Sequence, residues 1–116
     1  MSYITVFPLP LFIPVTATGI GIVIVTLPIP QISVQMELRS ISASLQALTT
    51  GPFTVEVRQG VGTLVDTVTF NAAGTIDHND VDARFDSRFN VLRFDVTAIG
   101  TGAQNCYVTP WFSAEM

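Results

Sequence analysis

Apolar and polar residues alternate along most of the second half of the chain, with the two-residue period of a β-strand that buries one face. The segment 53–58 alternates in this way, and a glycine-rich turn at 59–62 leads to a returning strand at 64–70, which predicts a β-hairpin. The segments 90–98 and 105–113 are the last two predicted strands. The residues that we expect to point inward in the clearest strands are Phe53, Val55, Val57, Leu92, Phe94 and Val96.

The alternation changes phase once, near Arg39 and Ser40. Before this point the even-numbered residues 34, 36 and 38 are apolar, and after it the odd-numbered residues from Ile41 to Ala47 are apolar. One extra residue in a strand produces such a shift, because neighbouring side chains point to opposite faces. The pattern therefore predicts a long strand with a β-bulge at Arg39-Ser40.

Two other segments are less regular. Residues 19–26 carry β-branched residues at successive positions, which predicts a strand buried on both faces. Residues 71–84 are interpreted as a polar excursion without strands. Seven or eight short strands separated by turn residues predict an all-β fold, an antiparallel β-sandwich that is jelly-roll-like.

The start of the chain is apolar and uncharged as far as Glu37. Its prolines favour extended backbone, so residues 1–18 are predicted to form an extended N-terminal arm and residues 19–116 a single sandwich domain. The longest proline-free run, 15–27, is shorter than the ~20 residues of a membrane-spanning helix, so no membrane partner is expected. The arm is expected to bury its side chains in a larger assembly. The predicted contact residues are Tyr3, Ile4, Val6, Phe7, Leu9, Leu11, Phe12 and Ile13.

The charge and the cysteine content of the chain argue against several classes of function and of covalent cross-link. Only 12% of residues are charged, the net charge is −4, and the five cations are scattered arginines, so no nucleic-acid partner is expected. Cys106 is the single cysteine, which excludes an intrachain disulfide, and we expect a buried structural thiol. The N-terminus lacks the basic segment of a secretory signal, so the chain is not expected to be secreted through a standard signal peptide.

The acidic segment at 77–82 is a weak candidate for a calcium site. Carboxylate and amide oxygens are the ligands that calcium prefers, and the candidate residues are Asp77, Asn79, Asp80 and Asp82. The spacing departs from an EF-hand, since Asp82 occupies the glycine position and Arg88 the position of the final glutamate. The alternative, which we favour, is a solvated loop in which these side chains cap their own backbone.

Catalytic chemistry has little support in the sequence. His78 is the single histidine and is expected to be exposed in a loop, and no nucleophile-elbow signature accompanies it. Tyr107 and Trp111, with Phe112, could stack on a sugar. The alternative that we favour is an interface, because Tyr and Trp are frequent interface anchors. The sequence therefore predicts neither enzyme activity nor a cofactor.

In the second half of the chain, the stretch 51–58 and the strand 64–70 are followed by the segment 91–99 and a Gly-Thr-Gly turn at 100–102. This arrangement resembles that of the small β-sandwich virion proteins of tailed bacteriophages. Such proteins often end in a strand of the form Leu-x-Phe-x-Val-Thr-x-Ile-Gly, which is found here at 92–100. A turn rich in Thr, Gly and Ala follows at 101–104, and an aromatic strand at 107–112. With the apolar N-terminal segment, the chain is most similar to a capsid decoration (cement) protein.

That resemblance implies a non-enzymatic subunit that stabilises the phage head from the capsid surface. Proteins of this kind are typically trimers bound to the major capsid protein, so these two partners are expected here. Two alternatives remain open: a tail or fibre adaptor of the same virion, and a carbohydrate-binding module that uses Tyr107 and Trp111.

Overall fold

A computed structural model describes residues 4–26, 35–60, 63–85 and 91–115. Over these ranges the chain forms ten β-strands and no helix, so no helix capable of crossing a membrane is found there. The strands are β1 (Ile4–Pro8), β2 (Leu11–Ile13), β3 (Gly19–Thr26), β4 (Gln35–Ala47), β5 (Phe53–Gln59), β6 (Thr63–Phe70), β7 (Gly74–His78), β8 (Ala83–Phe85), β9 (Val91–Ala98) and β10 (Gln104–Glu115).

The strands form two antiparallel sheets packed face to face. Sheet A has the order β1-β10-β4-β7, in which β2 also pairs with β10 and β8 also pairs with β4. Its six strands thus occupy four positions, because β1 and β2 share one edge and β7 and β8 share the other. Sheet B has the order β3-β9-β5-β6. The predicted all-β antiparallel β-sandwich is confirmed.

The pairings are nested along the sequence. β5 pairs with β6, β4 with β7, β3 with β9 and β1 with β10, so strands of the first half meet strands of the second half in mirrored order. The chain is therefore folded like one long hairpin whose tip is the β5–β6 turn. Wrapping that hairpin brings β4 beside β10 and β5 beside β9, which completes the two sheets.

The inner faces of both sheets form one apolar core. The inward residues predicted for β5 and β9 are at most 1% exposed, which confirms those assignments. Phe112 and Ile13 are fully buried in sheet A. Other buried core residues are Leu38, Ile41, Ala43, Leu45, Val68, Phe70, Cys106 and Val108.

The predicted bulge in β4 is present. Phe112 pairs with Leu38 and Trp111 pairs with Ser40, so Arg39 is the extra residue on β4. Leu38 and Ile41 are both fully buried although they are three positions apart. The bulge is what lets the two halves of β4 share one core face despite the change of phase.

Residues 19–26 do form a strand, but the prediction that both faces are buried is wrong. β3 lies at one edge of sheet B, and its outer side chains Ile20 and Ile24 are 82% and 62% exposed. Ile22, Val23 and Val25 pack against the core. The β-branched composition predicts a strand, but whether its outer face is buried depends on which other parts of the chain pack against it.

A free N-terminal arm is not confirmed. Residues 4–8 and 11–13 pair with β10 of the same chain, and the Leu9 amide donates a hydrogen bond to the Pro110 carbonyl at 3.0 Å. Pro8 ends β1 at a sheet edge, where the missing amide proton costs little. The apolar segment thus covers the edge of the sandwich to which it belongs.

The interpretation of residues 71–84 as a strandless polar excursion is wrong. β7 pairs with β4 through residues 41–45, and β8 pairs with it through residues 36–38. Both strands are short, and Asn71, Asp77 and Asn79 are exposed, so the segment lacks a clear apolar alternation. An edge strand of this kind is specified mainly by its backbone pairing with β4.

Deleting Arg39 should leave the protein folded. The residue has no direct partner on β10, and its side chain is 55% exposed, so the deletion converts the bulge into a regular ladder in the same phase. We expect a loss of about 1 kcal/mol in the free energy of unfolding, measured by urea denaturation. Deletion of Ser42, which lies in the regular ladder, should abolish folding. It shifts the register by one residue, so that the core side chains on one side of the deletion point to the outer face of the sheet. Equal effects of the two deletions would contradict the bulge assignment.

Candidate functional site

Four charged residues form a square on the outer face of sheet B. Glu56 lies directly opposite Asp95, and Arg58 lies directly opposite Arg93, across the β5–β9 ladder. Like charges facing each other are destabilising, but here each acid also contacts an arginine. Arg58 reaches Glu56 at 2.7 Å and Asp95 at 3.6 Å, and Arg93 Nε lies 3.1 Å from Asp95 Oδ1. Each strand thus pairs one acid with one arginine, and the four charges of the square sum to zero.

Asp95 is the most buried member of the square, at 4% exposure. The start of β3 covers it: β3 places three residues, 20–22, opposite Asp95 on β9, and the Gly21 amide donates a hydrogen bond to Asp95 Oδ1. Gly21 has a φ of +70°, a conformation that glycine adopts without strain. Asp95 thus fixes the irregular part of the edge strand.

A shallow depression of about 390 Å³ lies beside the square. Its lining combines the four charged residues with Thr18, Gly19, Ile20, Val96 and Thr97. Because both carboxylates and both guanidinium groups already contact one another, the depression has little uncompensated charge to offer a ligand. Its geometry is consistent with a structural role at the β3 edge.

The outer face of β10 carries the aromatic residues singled out from the sequence. Tyr107 is 48% exposed, Thr109 and Trp111 are half-buried, and the intervening residues are buried. Tyr107, Thr109 and Trp111 therefore share the outer face of β10. Phe112 is fully buried, so it cannot belong to the same platform. Phe12, which pairs with Tyr107 across β2 and β10, is 52% exposed and contacts the tyrosine ring edge-on at 5.4 Å.

A second depression, of about 500 Å³, adjoins Tyr107. Its polar lining comes from Ser44 and Gln46 on β4, Thr75 on β7 and Asn105 on β10. The Asn105 amide donates a hydrogen bond to Gln46 Oε1 across the two strands. An aromatic ring beside amides and hydroxyls, without a charged lining residue, is a surface suited to hydrogen-bonding a neutral ligand.

His78 is not in an exposed loop, and that prediction is wrong. It ends β7 and is half-buried, and its Nδ1 lies 2.7 Å from Asp66 Oδ2 on β6. Since β6 and β7 belong to different sheets, the pair connects sheet A to sheet B along one edge of the sandwich. Among the described residues, no hydroxyl group is hydrogen-bonded to the ring, so the pair is not extended to a serine nucleophile.

The acidic calcium candidates do not converge in the described ranges. Asp77 lies in β7, and Asn79, Asp80 and Asp82 are exposed in the segment that follows. Among the residues that the structure describes, no group of three His, Cys, Asp or Glu side chains is close enough to hold a metal ion. The residues beyond Phe85 that the sequence adds to this segment, Asp86 and Arg88, lie outside the described ranges.

Cys106 is fully buried on the inner face of β10, as predicted. Burial removes the thiolate from water and raises the pKa of Cys106 to about 12. The thiol is therefore protonated at neutral pH, which argues against nucleophilic chemistry at this position.

The predicted arm contacts are divided between the core and the surface. Ile13 is buried, Leu9 and Leu11 are half-buried against the core, and Phe12 is exposed. For Ile4, Val6 and Phe7 the structure describes the backbone pairing with β10, and Tyr3 lies outside the described ranges.

Sequence reasoning missed both polar arrangements. The alternation in β9 implies that Asp95 points outward, but its burial depends on β3, whose Gly21 is 74 residues away in the sequence. Gln46 and Asn105 are 59 residues apart, so no local pattern connects them. No protein-family model matches the chain, and no curated protein matches it significantly.

Replacing Asp95 with alanine should destabilise the protein strongly. The substitution removes the acceptor of the Gly21 amide and the carboxylate that lies 3.1 Å from Arg93 Nε. We expect a loss of roughly 2–4 kcal/mol in the free energy of unfolding, measured by urea denaturation. The matched control is Asp77→Ala, an exposed acid on a strand of the other sheet, with an expected change below about 0.5 kcal/mol. Similar losses in the two variants would contradict a supporting role for Asp95.

The burial of Cys106 predicts a loss of stability at alkaline pH. The thiol ionises above pH 9.0 in the unfolded chain but only near pH 12 in the folded one, so rising pH favours the unfolded state. The free energy of unfolding should fall by about 1.4 kcal/mol per pH unit between these values, relative to Cys106→Ala. Urea denaturation of both proteins across pH 8–11 measures the difference. Parallel pH profiles would refute the assignment.

Proposed function

We propose that the chain is a non-enzymatic structural subunit of a phage particle, a capsid decoration protein that forms a homotrimer on the major capsid protein. It would be made in the host cytoplasm and act at the capsid surface of the virion. The observation that carries the proposal is the apolar, one-sided edge strand β3, with Ile20 and Ile24 exposed.

An edge strand of this composition is suited to pair with another chain. Within the described ranges β3 pairs on one side only, with β9. Charged residues and prolines discourage the pairing of edge strands, and the sequence 19–26 contains neither. Strand addition at such an edge supplies backbone hydrogen bonds, and burial of the two isoleucines contributes roughly 3–6 kcal/mol. We propose that β3 is the contact between sister chains.

This proposal moves the main contact away from the N-terminal segment. Ile13 is buried within the chain, and residues 4–8 are paired with β10, so this segment has less surface to offer a partner than a free arm would. In a closed ring of three subunits, β3 of one subunit would contact a different surface of the next subunit. Such head-to-tail contacts between two different surfaces are what generate a closed ring.

We also propose that the sandwich is a jelly roll. The support is the strand order: with β1–β2 and β7–β8 each counted as one position, the sheets have the orders 1-8-3-6 and 2-7-4-5. Eight positions in nested antiparallel pairs agree with the wrapped double Greek key of that fold. Jelly rolls occur in viral capsid proteins, which favours the virion role by analogy of fold.

A tail or fibre adaptor is the second candidate, because the same edge strand could pair with a tail protein. The location in the particle separates the two. Gold-labelled antibody on purified virions should mark the head for a decoration protein and the tail for an adaptor.

A lysine in the centre of β3 should dissociate the oligomer. Light scattering should give three chain masses for the unmodified protein and one for Ile24→Lys, because the charge would be buried in the proposed contact. Co-sedimentation with phage heads that lack the protein should be lost together with the trimer. The matched control is Tyr107→Lys, which places the same charge at a half-exposed position on sheet A and should stay trimeric. A monomeric unmodified protein, or a trimer broken only by Tyr107→Lys, would contradict the proposed β3 contact.

A further inference from the structure

We propose that the outer face of sheet A, centred on Tyr107 and the depression beside it, binds a neutral oligosaccharide. This site is separate from the β3 edge, which lies on the other sheet, and it does not depend on the proposed assembly. The argument uses three features of the surface: a held aromatic ring, a polar lining and the absence of charge from that lining.

Tyr107 provides a preoriented stacking surface. It lies in the interior of sheet A, between β2 and β4, and the Phe12 ring contacts it at 5.4 Å with an interplanar angle of 61°. An edge-on contact restricts the tyrosine while 48% of the residue stays exposed. Aromatic rings held in this way are suited to pack against the C–H groups of a sugar ring, with the phenol group at the polar end.

The polar groups beside the ring match the hydroxyl groups of a sugar. Ser44 lies directly opposite Tyr107 on β4, and Thr75 lies opposite Ser44 on β7, so a row of hydroxyl groups crosses three strands. The hydrogen bond between Asn105 and Gln46 uses one donor and one acceptor. By their chemistry the two amides retain a carbonyl oxygen on Asn105, which can accept a hydrogen bond from a ligand, and an amino group on Gln46, which can donate one.

The backbone at Asn105 supports a role for its amide. Asn105 has a φ of +52°, in the left-handed region that favours glycine, and it is the non-glycine residue with positive φ in the described ranges. Asparagine tolerates this conformation better than most residues, and it places an amide at the rim of the depression. Glycine would satisfy the backbone equally well, which provides a clean variant for the test.

The lining contains no charged side chain, so it offers no ionic partner to a carboxylate or sulfate group. The nearest acid along β7 is Asp77, two residues beyond Thr75, and it would repel an anionic sugar. Trp111 lies on the same face of β10, roughly 13 Å from Tyr107 at the rise of a β-strand. The surface therefore fits a neutral chain of several sugars that lies along β10.

The test uses a glycan array that carries neutral and sialylated oligosaccharides, followed by calorimetric titration with the strongest neutral binder. The unmodified protein should bind neutral glycans in preference to sialylated ones. Tyr107→Ala should weaken binding at least tenfold, and Asn105→Gly should weaken it about fivefold through loss of an amide contact. The matched control is Leu64→Ala, at a residue of nearly equal exposure on the edge of sheet B, and it should bind normally.

Thermal melting confirms that each variant is folded before its affinity is compared. Asn105→Gly keeps a permitted backbone, so a loss of binding by this variant cannot be assigned to unfolding. The proposal is overturned if the unmodified protein binds no glycan on the array, or if Tyr107→Ala and Asn105→Gly bind as tightly as Leu64→Ala. Preferential binding of sialylated glycans would also overturn it. The mass of the oligomer is measured separately, so failure of this site and failure of the β3 contact are distinguishable.

Discussion

The antiparallel ladder between β4 and β10 is the interaction on which the rest of the molecule depends. These are the two longest strands, and they form the centre of sheet A, with β1 and β2 joined to β10 and β7 and β8 joined to β4. The inner side of β10 supplies Val108 and Phe112 to the core, while its outer side carries Tyr107. The bulge at Arg39 keeps both halves of β4 in contact with that core.

Local alternation was sufficient to predict the parts of the fold that face one core. The hairpin at 53–70, the strand at 91–98 and the bulge at Arg39 were all predicted, because a period of two fixes which side chains point inward. The same rule did not reveal the exposed face of β3, since β-branched residues occur both in buried strands and at this edge. Position within a sheet depends on long-range pairing, which a single sequence does not display.

The candidate surfaces were predictable to different degrees. Tyr107 and Trp111 could be assigned to one face from their even spacing, and the same spacing excludes Phe112, whose side chain must point the other way. The contact between Phe12 and Tyr107 could not be derived, because it depends on the pairing of the N-terminal segment with β10. The burial of Asp95 depends in the same way on β3 crossing over it.

The nested order of pairing has a consequence for synthesis on the ribosome. β5 and β6 can meet as soon as both have emerged, but β3 must wait for β9, and β1 and β4 must wait for β10. For most of translation the apolar strands of the first half therefore lack their partners, and loop closure over such distances is slow. During this interval Ile41, Leu45 and the other core residues of β4 are exposed to water, and such exposure makes a nascent chain prone to aggregation. Sheet A is completed only when the last strand has left the exit tunnel.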